Sequence, residues 1–191
     1  TLPGTEHPLA AFFTRGTGHN EKSGYSERPE DWKRNLDRLA LKLHSARLKL
    51  PAPEIESAPG SKVGIIAFGS THPSMVEARD ILLEHGLPTG YCRLRALPPA
   101  EEVATFVAQY DRVYVVEQNR DGQVCTLLRG TLEGTLDDRL ISVTHYNGTP
   151  IAAENITHPI LDWERNFADH TTLTNGTGLP AESAENEVSP E

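Results

Sequence analysis

Residues 62–86 read KVGIIAFGSTHPSMVEARDILLEHG. Val63, Ile65, Ile66, Ala67 and Phe68 form a near-continuous apolar run, the pattern of a strand covered on both faces. Gly69, Ser70 and Thr71 follow as a tight turn. Ser70 or Thr71 is placed to cap the next helix, and Pro73 suits its first turn, where a missing N–H costs nothing. Ser74 and Glu77 repeat a capping-box spacing one turn later. Gly86, with Pro88 just beyond, stops the helix. Strand, turn, helix and a further strand make a βαβ unit.

The alternation continues downstream. Strands are expected at about 89–94, 112–117 and 140–146. Helices are expected from Pro99 to Tyr110, from Gln123 to Leu132 and across 152–167, the last interrupted or redirected near Pro159. Strands separated by helices, without hairpin signals, predict an α/β fold. Its sheet is mostly parallel, with helices on both faces. The working edge of such a sheet lies at the carboxyl ends of its strands. That edge carries Gly69, Ser70, Thr71 and His72, then Arg95, then Glu117, Gln118 and Asn119, then His145.

Upstream, residues 28–50 read as a long amphipathic helix. Trp32, Leu36, Leu39, Leu43, Ala46 and Leu50 recur at alternating steps of four and three. Lys33, Arg34, Arg38, Lys42, Arg47 and Lys49 occupy other faces, against Asp31 and Asp37. The stripe needs an apolar partner, from a preceding domain or another subunit. Residues 51–61, PAPEIESAPGS, read as a stiff Pro-rich linker and a domain boundary. Residues 1–50 are thus expected to end an upstream domain, with 62–168 the α/β domain. Residues 169–191, polar and acidic, are expected to be disordered.

The 191 residues suffice for one real core. A net charge of −9 argues against nucleic-acid binding through charge. No run approaches the ~18 apolar residues of a membrane span, and no signal peptide opens the chain. Cytoplasm is the expected location. The first residue is not Met, which fits a fragment or a processed product. Cys92 and Cys125 are too few for an iron–sulfur cluster, which needs about four thiolates. No histidine pair has metal-ligand spacing. Residues 68–72, FGSTH, lack the spacing of a nucleophile elbow. The residues alone therefore give an α/β domain with no catalytic constellation. Ser70, Thr71, Glu117, Gln118 and Asn119 are its candidate contacts. Glu117 ends an apolar strand, where a carboxylate needs a partner or a cleft.

Residues 12–21, FFTRGTGHNE, form a Gly-rich stretch that by spacing alone is an ordinary loop. Taken in order, this loop, the basic Trp/Leu helix, GIIAFGST at 64–71 and VVEQNRDGQ at 115–123 resemble the alpha subunit of 2-oxoacid:ferredoxin oxidoreductases. The resemblance is to its carboxyl-terminal portion, of the 2-oxoglutarate type. It implies that 62–167 is similar to the transketolase C-terminal domain. It implies an enzyme that oxidatively decarboxylates a 2-oxoacid on thiamine diphosphate, passes electrons through an iron–sulfur cluster to ferredoxin, and forms an acyl-CoA. Thiamine diphosphate, Mg2+ and the cluster are then expected on a beta subunit and an upstream domain. This chain alone is expected to be inactive, an assembly portion with a beta subunit and a second alpha subunit as partners. Arg15, His19 and Asn20 of the loop become candidate contacts. The alternatives are a stand-alone module holding a small anion or nucleotide at its strand ends, or the C-terminal domain of another thiamine enzyme.

Overall fold

The computed structural model describes residues 4–8, 10, 16, 18–132 and 136–175, and of 167–175 the backbone alone. The chain divides into two compact units. One comprises residues 1–52 and 96–100; the other comprises 53–95 and 101–191.

In the first unit, helix α1 runs Pro29–Arg47. Its start follows the expected signals: Pro29 in the first turn, Glu30 and Asp31 at the positive end of the helix dipole, and Arg47 near the negative end. No side chain caps it. Instead Ser26 Oγ donates to Asp31 Oδ2 at 2.6 Å. Asn35 is the one buried residue of α1, and its Nδ2 donates to the His19 carbonyl at 2.7 Å. Gly18 fits closely here, because a Cβ would come within 2.7 Å of the Trp32 indole nitrogen. Near the helix end, Arg47 Nε donates to the Pro99 carbonyl at 2.6 Å.

The second unit is a sheet between two helical layers. Its strands are β1 (Glu54–Glu56), β2 (Val63–Phe68), β3 (Thr89–Leu94), β4 (Arg112–Glu117) and β5 (Leu140–Thr144). They lie in the order β1-β3-β2-β4-β5. All neighbours are parallel except β1, which runs antiparallel to β3. The sheet is thus α/β and mostly parallel, as the sequence predicts. The addition is β1, which lies inside the Pro-rich 51–61 stretch. Alternating Glu-Ile-Glu gives it charge for an edge. Glu54 pairs with Arg93 at 3.0 Å, and Glu56 with Arg79 at 2.6 Å.

Alternation along the strands feeds two cores. Val63, Ile65 and Ala67 face one layer with Tyr91, Tyr114 and Val116. That layer is α2 (His72–Glu84) and α5 (Glu154–Asn175), through Met75, Leu82, Ile156 and Ile160. Ile66, Cys92, Val113 and Val115 face the other layer. That layer is α3 (Glu101–Ala108) and α4 (Gln123–Arg129), through Phe106, Val107, Cys125 and Leu128. Gly64 and Gly90 are partners across β2 and β3. Together they leave a trough for the Phe106 and Tyr110 rings, and a Cβ at Gly90 would collide with the Tyr110 hydroxyl.

Several boundaries differ from the sequence reading. Helix α3 starts two residues beyond Pro99, and α4 stops at Arg129, where Gly130 ends it. Helix α5 is not interrupted at Pro159. The ring removes the backbone bond to the Asn155 carbonyl, but fully buried Ile156 and Ile160 hold the helix to the sheet. Arg112 grips the same helix from β4, bonding Glu164 through Nε at 2.8 Å and Nη2 at 2.7 Å. The Tyr114 hydroxyl also donates to Glu164, at 2.7 Å. Helix α5 extends to Asn175, within the segment expected to be disordered; 176–191 lie outside the described residues.

Candidate functional site

The carboxyl ends of β2, β4 and β5 bring most of the expected polar residues together. After β2 the chain makes a single 3-10 turn, Gly69–Thr71, before α2. Gly69 sits at φ +60°, a backbone conformation that favours glycine. Neither Ser70 nor Thr71 caps α2, since no side-chain cap bond exists at its N-terminus. The 3-10 turn runs straight into the helix and aims both hydroxyls at the next strand end instead. Gln118 Nε2 donates to Ser70 Oγ at 3.1 Å and to Thr71 Oγ1 at 3.2 Å. Its Oε1 accepts from the Ile151 N–H at 3.3 Å. One amide therefore ties β2, β4 and the segment entering α5. Ser74, read as a second cap, donates to the Ile151 carbonyl at 2.6 Å. A capping box was mimicked by a residue that faces a distant loop.

Glu117 is fully buried. Its Oε2 accepts from the Val124 N–H at 2.7 Å and from Asn119 Nδ2 at 2.8 Å, and its Oε1 accepts from the Cys125 N–H at 2.9 Å. Asn119 Oδ1 accepts from the Gln123 N–H at 3.2 Å. These are the orphan donors of the first turn of α4. A carboxylate here meets the positive end of the helix dipole and strong charge-assisted bonds, which offset its desolvation. The chain reaches this arrangement through Gly122 at φ +59°, where a Cβ would lie 2.6 Å from Ser142 Oγ. His145 continues the cluster: its backbone N–H donates to the Glu117 carbonyl at 2.9 Å. Its Nε2 lies 3.0 Å from the Thr149 carbonyl, so Nε2 carries the proton.

The other residues singled out lie elsewhere. Asn20 organises a turn, its Oδ1 accepting from the Lys22 and Gly24 N–H groups at 3.0 Å each. His19 bridges Tyr25 across that turn. Both belong to the first unit, and Arg15 lies outside the described residues. Arg95 faces Glu54 at 3.6 Å. His72 Nδ1 lies 3.1 Å from the Tyr91 hydroxyl, and burial pushes that phenol up to about 12. Cys92 and Cys125 are both buried, and burial pushes the Cys92 thiol up to about 12. Two thiols held protonated in a core do not fit an iron–sulfur cluster. Among the described residues no group of three or more His, Cys, Asp or Glu is placed to hold a metal ion. No helix there is long and apolar enough to cross a membrane. The sequence reading favours a structural role for Glu117, Gln118 and Asn119, satisfying loop backbone at a subunit contact; what it lacks is the partners, which belong to this chain. The available signal was Glu117 followed six residues later by a helix start without an acid of its own.

No family model matches the chain. A 93-residue stretch, 48% of the chain, is 29% identical to 14% of subunit alpha of 2-oxoacid:ferredoxin oxidoreductase 2 from Aeropyrum pernix. In structure, 85% of the chain overlays 28% of a 2-oxoglutarate:ferredoxin oxidoreductase chain from Magnetococcus marinus, with TM-score 0.68 and 26% identity. That protein was solved with 2-oxoglutarate, coenzyme A and succinyl-CoA bound. The alpha chain of a probable 2-oxoacid ferredoxin oxidoreductase from Thermoplasma acidophilum overlays 58% of the chain at TM-score 0.35 and 16% identity, covering 95% of its own length. The chain thus spans about a seventh of the curated relative and just over a quarter of the better-matching structure. In sequence and fold it is similar to a portion of a 2-oxoacid:ferredoxin oxidoreductase alpha subunit.

Proposed function

We propose that the chain is the assembly portion of a thiamine-dependent 2-oxoacid:ferredoxin oxidoreductase, contributing a scaffold and subunit contacts rather than a catalytic group. The overlay of 85% of the chain on the Magnetococcus marinus enzyme at 26% identity carries this reading. The site geometry agrees with it: Glu117, Gln118 and Asn119 bond the chain's own backbone and hydroxyls. The 2-oxoglutarate bound to the Magnetococcus marinus enzyme favours that compound as the 2-oxoacid. Thiamine diphosphate, Mg2+ and the iron–sulfur cluster would be held by other parts of the enzyme. A beta subunit, a second alpha subunit, ferredoxin and CoA are its partners, in the cytoplasm.

The test is an assay of the purified chain with 2-oxoglutarate, CoA, thiamine diphosphate, Mg2+ and a viologen acceptor. No turnover is expected, and calorimetry with thiamine diphosphate should show no heat. Robust turnover, or tight binding of thiamine diphosphate by the chain alone, sinks the proposal. Heat with CoA or a nucleotide that disappears in Thr71→Ala would instead favour a small-ligand module.

A further inference from the structure

Helix α1 exposes an apolar seam. Leu36, Leu39 and Leu43 are 57%, 49% and 57% exposed, Trp32 is 49% exposed, and Ala46 is exposed too. The steps between them alternate four and three, the a and d positions of a heptad. Positions adjoining such a seam, e and g, set partner choice. Here they are Lys33, Asn35, Ala40, Lys42, Arg47 and, just past the helix end, Lys49. No carboxylate is among them. Lys33 meets Asp37 at 2.7 Å, an exposed pair, while Lys42 and Lys49 are exposed.

We infer that this seam docks an amphipathic helix of another protein, one with apolar a and d positions flanked by Glu or Asp. The charge pattern decides against a second copy of this chain. A self-pair, parallel or antiparallel, would set Lys42, Arg47 and Lys49 against one another, and like charges across a coiled-coil seam disfavour pairing. The narrowness of the stripe decides against a membrane surface. A lipid-facing helix presents a broad apolar face, whereas this seam is bordered by Lys33 and Arg47 on one side and by Asn35 and Lys42 on the other, and the exposed Leu41 and Leu48 lie on the opposite face. Helix α1 spans about 28 Å at ~1.5 Å per residue, room for between two and three heptads. The inference rests on α1 alone and stands whether or not the chain belongs to an oxidoreductase.

The experiment titrates the full chain with two synthetic helices of about three heptads, both with Leu at a and d, one with Glu and one with Lys at e and g. At about 50 mM salt the Glu helix should bind at least roughly tenfold tighter, with the gap shrinking as salt screens it. Leu39→Asp should abolish binding without changing the unfolding of the sheet unit, because Leu39 is exposed. The double variant Lys42→Glu, Lys49→Glu should transfer the preference to the Lys helix. Equal binding of both helices, or none, overturns the inference. So does binding to phosphatidylserine vesicles in place of the Glu helix, or self-association of the chain that Leu39→Asp abolishes.

Discussion

Glu117 shows how a residue that looks functional can be consumed by the fold. Three donors converge on its carboxylate, two of them backbone N–H groups of α4. Glu117→Gln keeps the shape but replaces one acceptor oxygen with an NH2 group that faces a backbone donor. It should destabilise the chain by roughly 2–4 kcal/mol, since bonds to a charged acceptor are strong and a buried orphan is costly. Urea unfolding monitored by circular dichroism checks this; a loss near zero would mean the carboxylate is not the cap. Sequence alone marked Glu117 as anomalous, because a buried strand had no reason to end in an acid. It did not reveal the partner, because the recipients are backbone groups that carry no residue signature. The same blindness explains Ser70, Thr71 and Ser74. Their spacing from a helix start is the spacing of a cap, and only the 3-10 turn and the loop at Ile151 decide otherwise.

At the level of elements, strands β2–β5 were legible as apolar runs between turns, α1 by its strong period, and α2 by the Pro and Gly at its ends. Strand β1 was not. A three-residue strand has no period to read, and its prolines argue for an extended linker. The glycine pair on β2 and β3 was likewise invisible, since its reason is a ring from a different element. Gly90→Ala pushes a methyl group into the Tyr110 hydroxyl. That hydroxyl accepts from the Ala58 N–H at 3.3 Å, so it is not free to swing away. A loss of about 1–3 kcal/mol is expected, as for other overpacked cores. Adding Tyr110→Phe should restore part of it, and a double-mutant cycle by thermal unfolding measures the recovery. Additive losses would show that the strain lies elsewhere.

For the molecule as a whole, the two units differ in how much they bury. Strand β2 is buried from Val63 to Ala67, and β4 from Val113 to Glu117, whereas α1 buries Asn35 alone. Amide exchange should therefore be slowest in β2 and β4 and much faster along α1, by orders of magnitude in rate. Hydrogen–deuterium exchange with mass spectrometry reads this directly. Equal protection of α1 and β2 would contradict the burial pattern. The same contrast says why the function was read from order rather than chemistry. The polar strand ends described above are bonded to the chain's own groups, so the resemblance rested on motifs in sequence.

The reach of the Glu117 carboxylate has a kinetic corollary. Its backbone partners are seven and eight residues downstream, so the cap closes a loop whose ends meet in about 10–100 ns. Such a contact costs little chain entropy and does not wait for β2, β3 or β5. The segment from Arg112 to Arg129 is therefore expected to close this contact early in folding, ahead of the longer-range strand pairings, and pulsed hydrogen exchange at the Val124 and Cys125 amides checks the order.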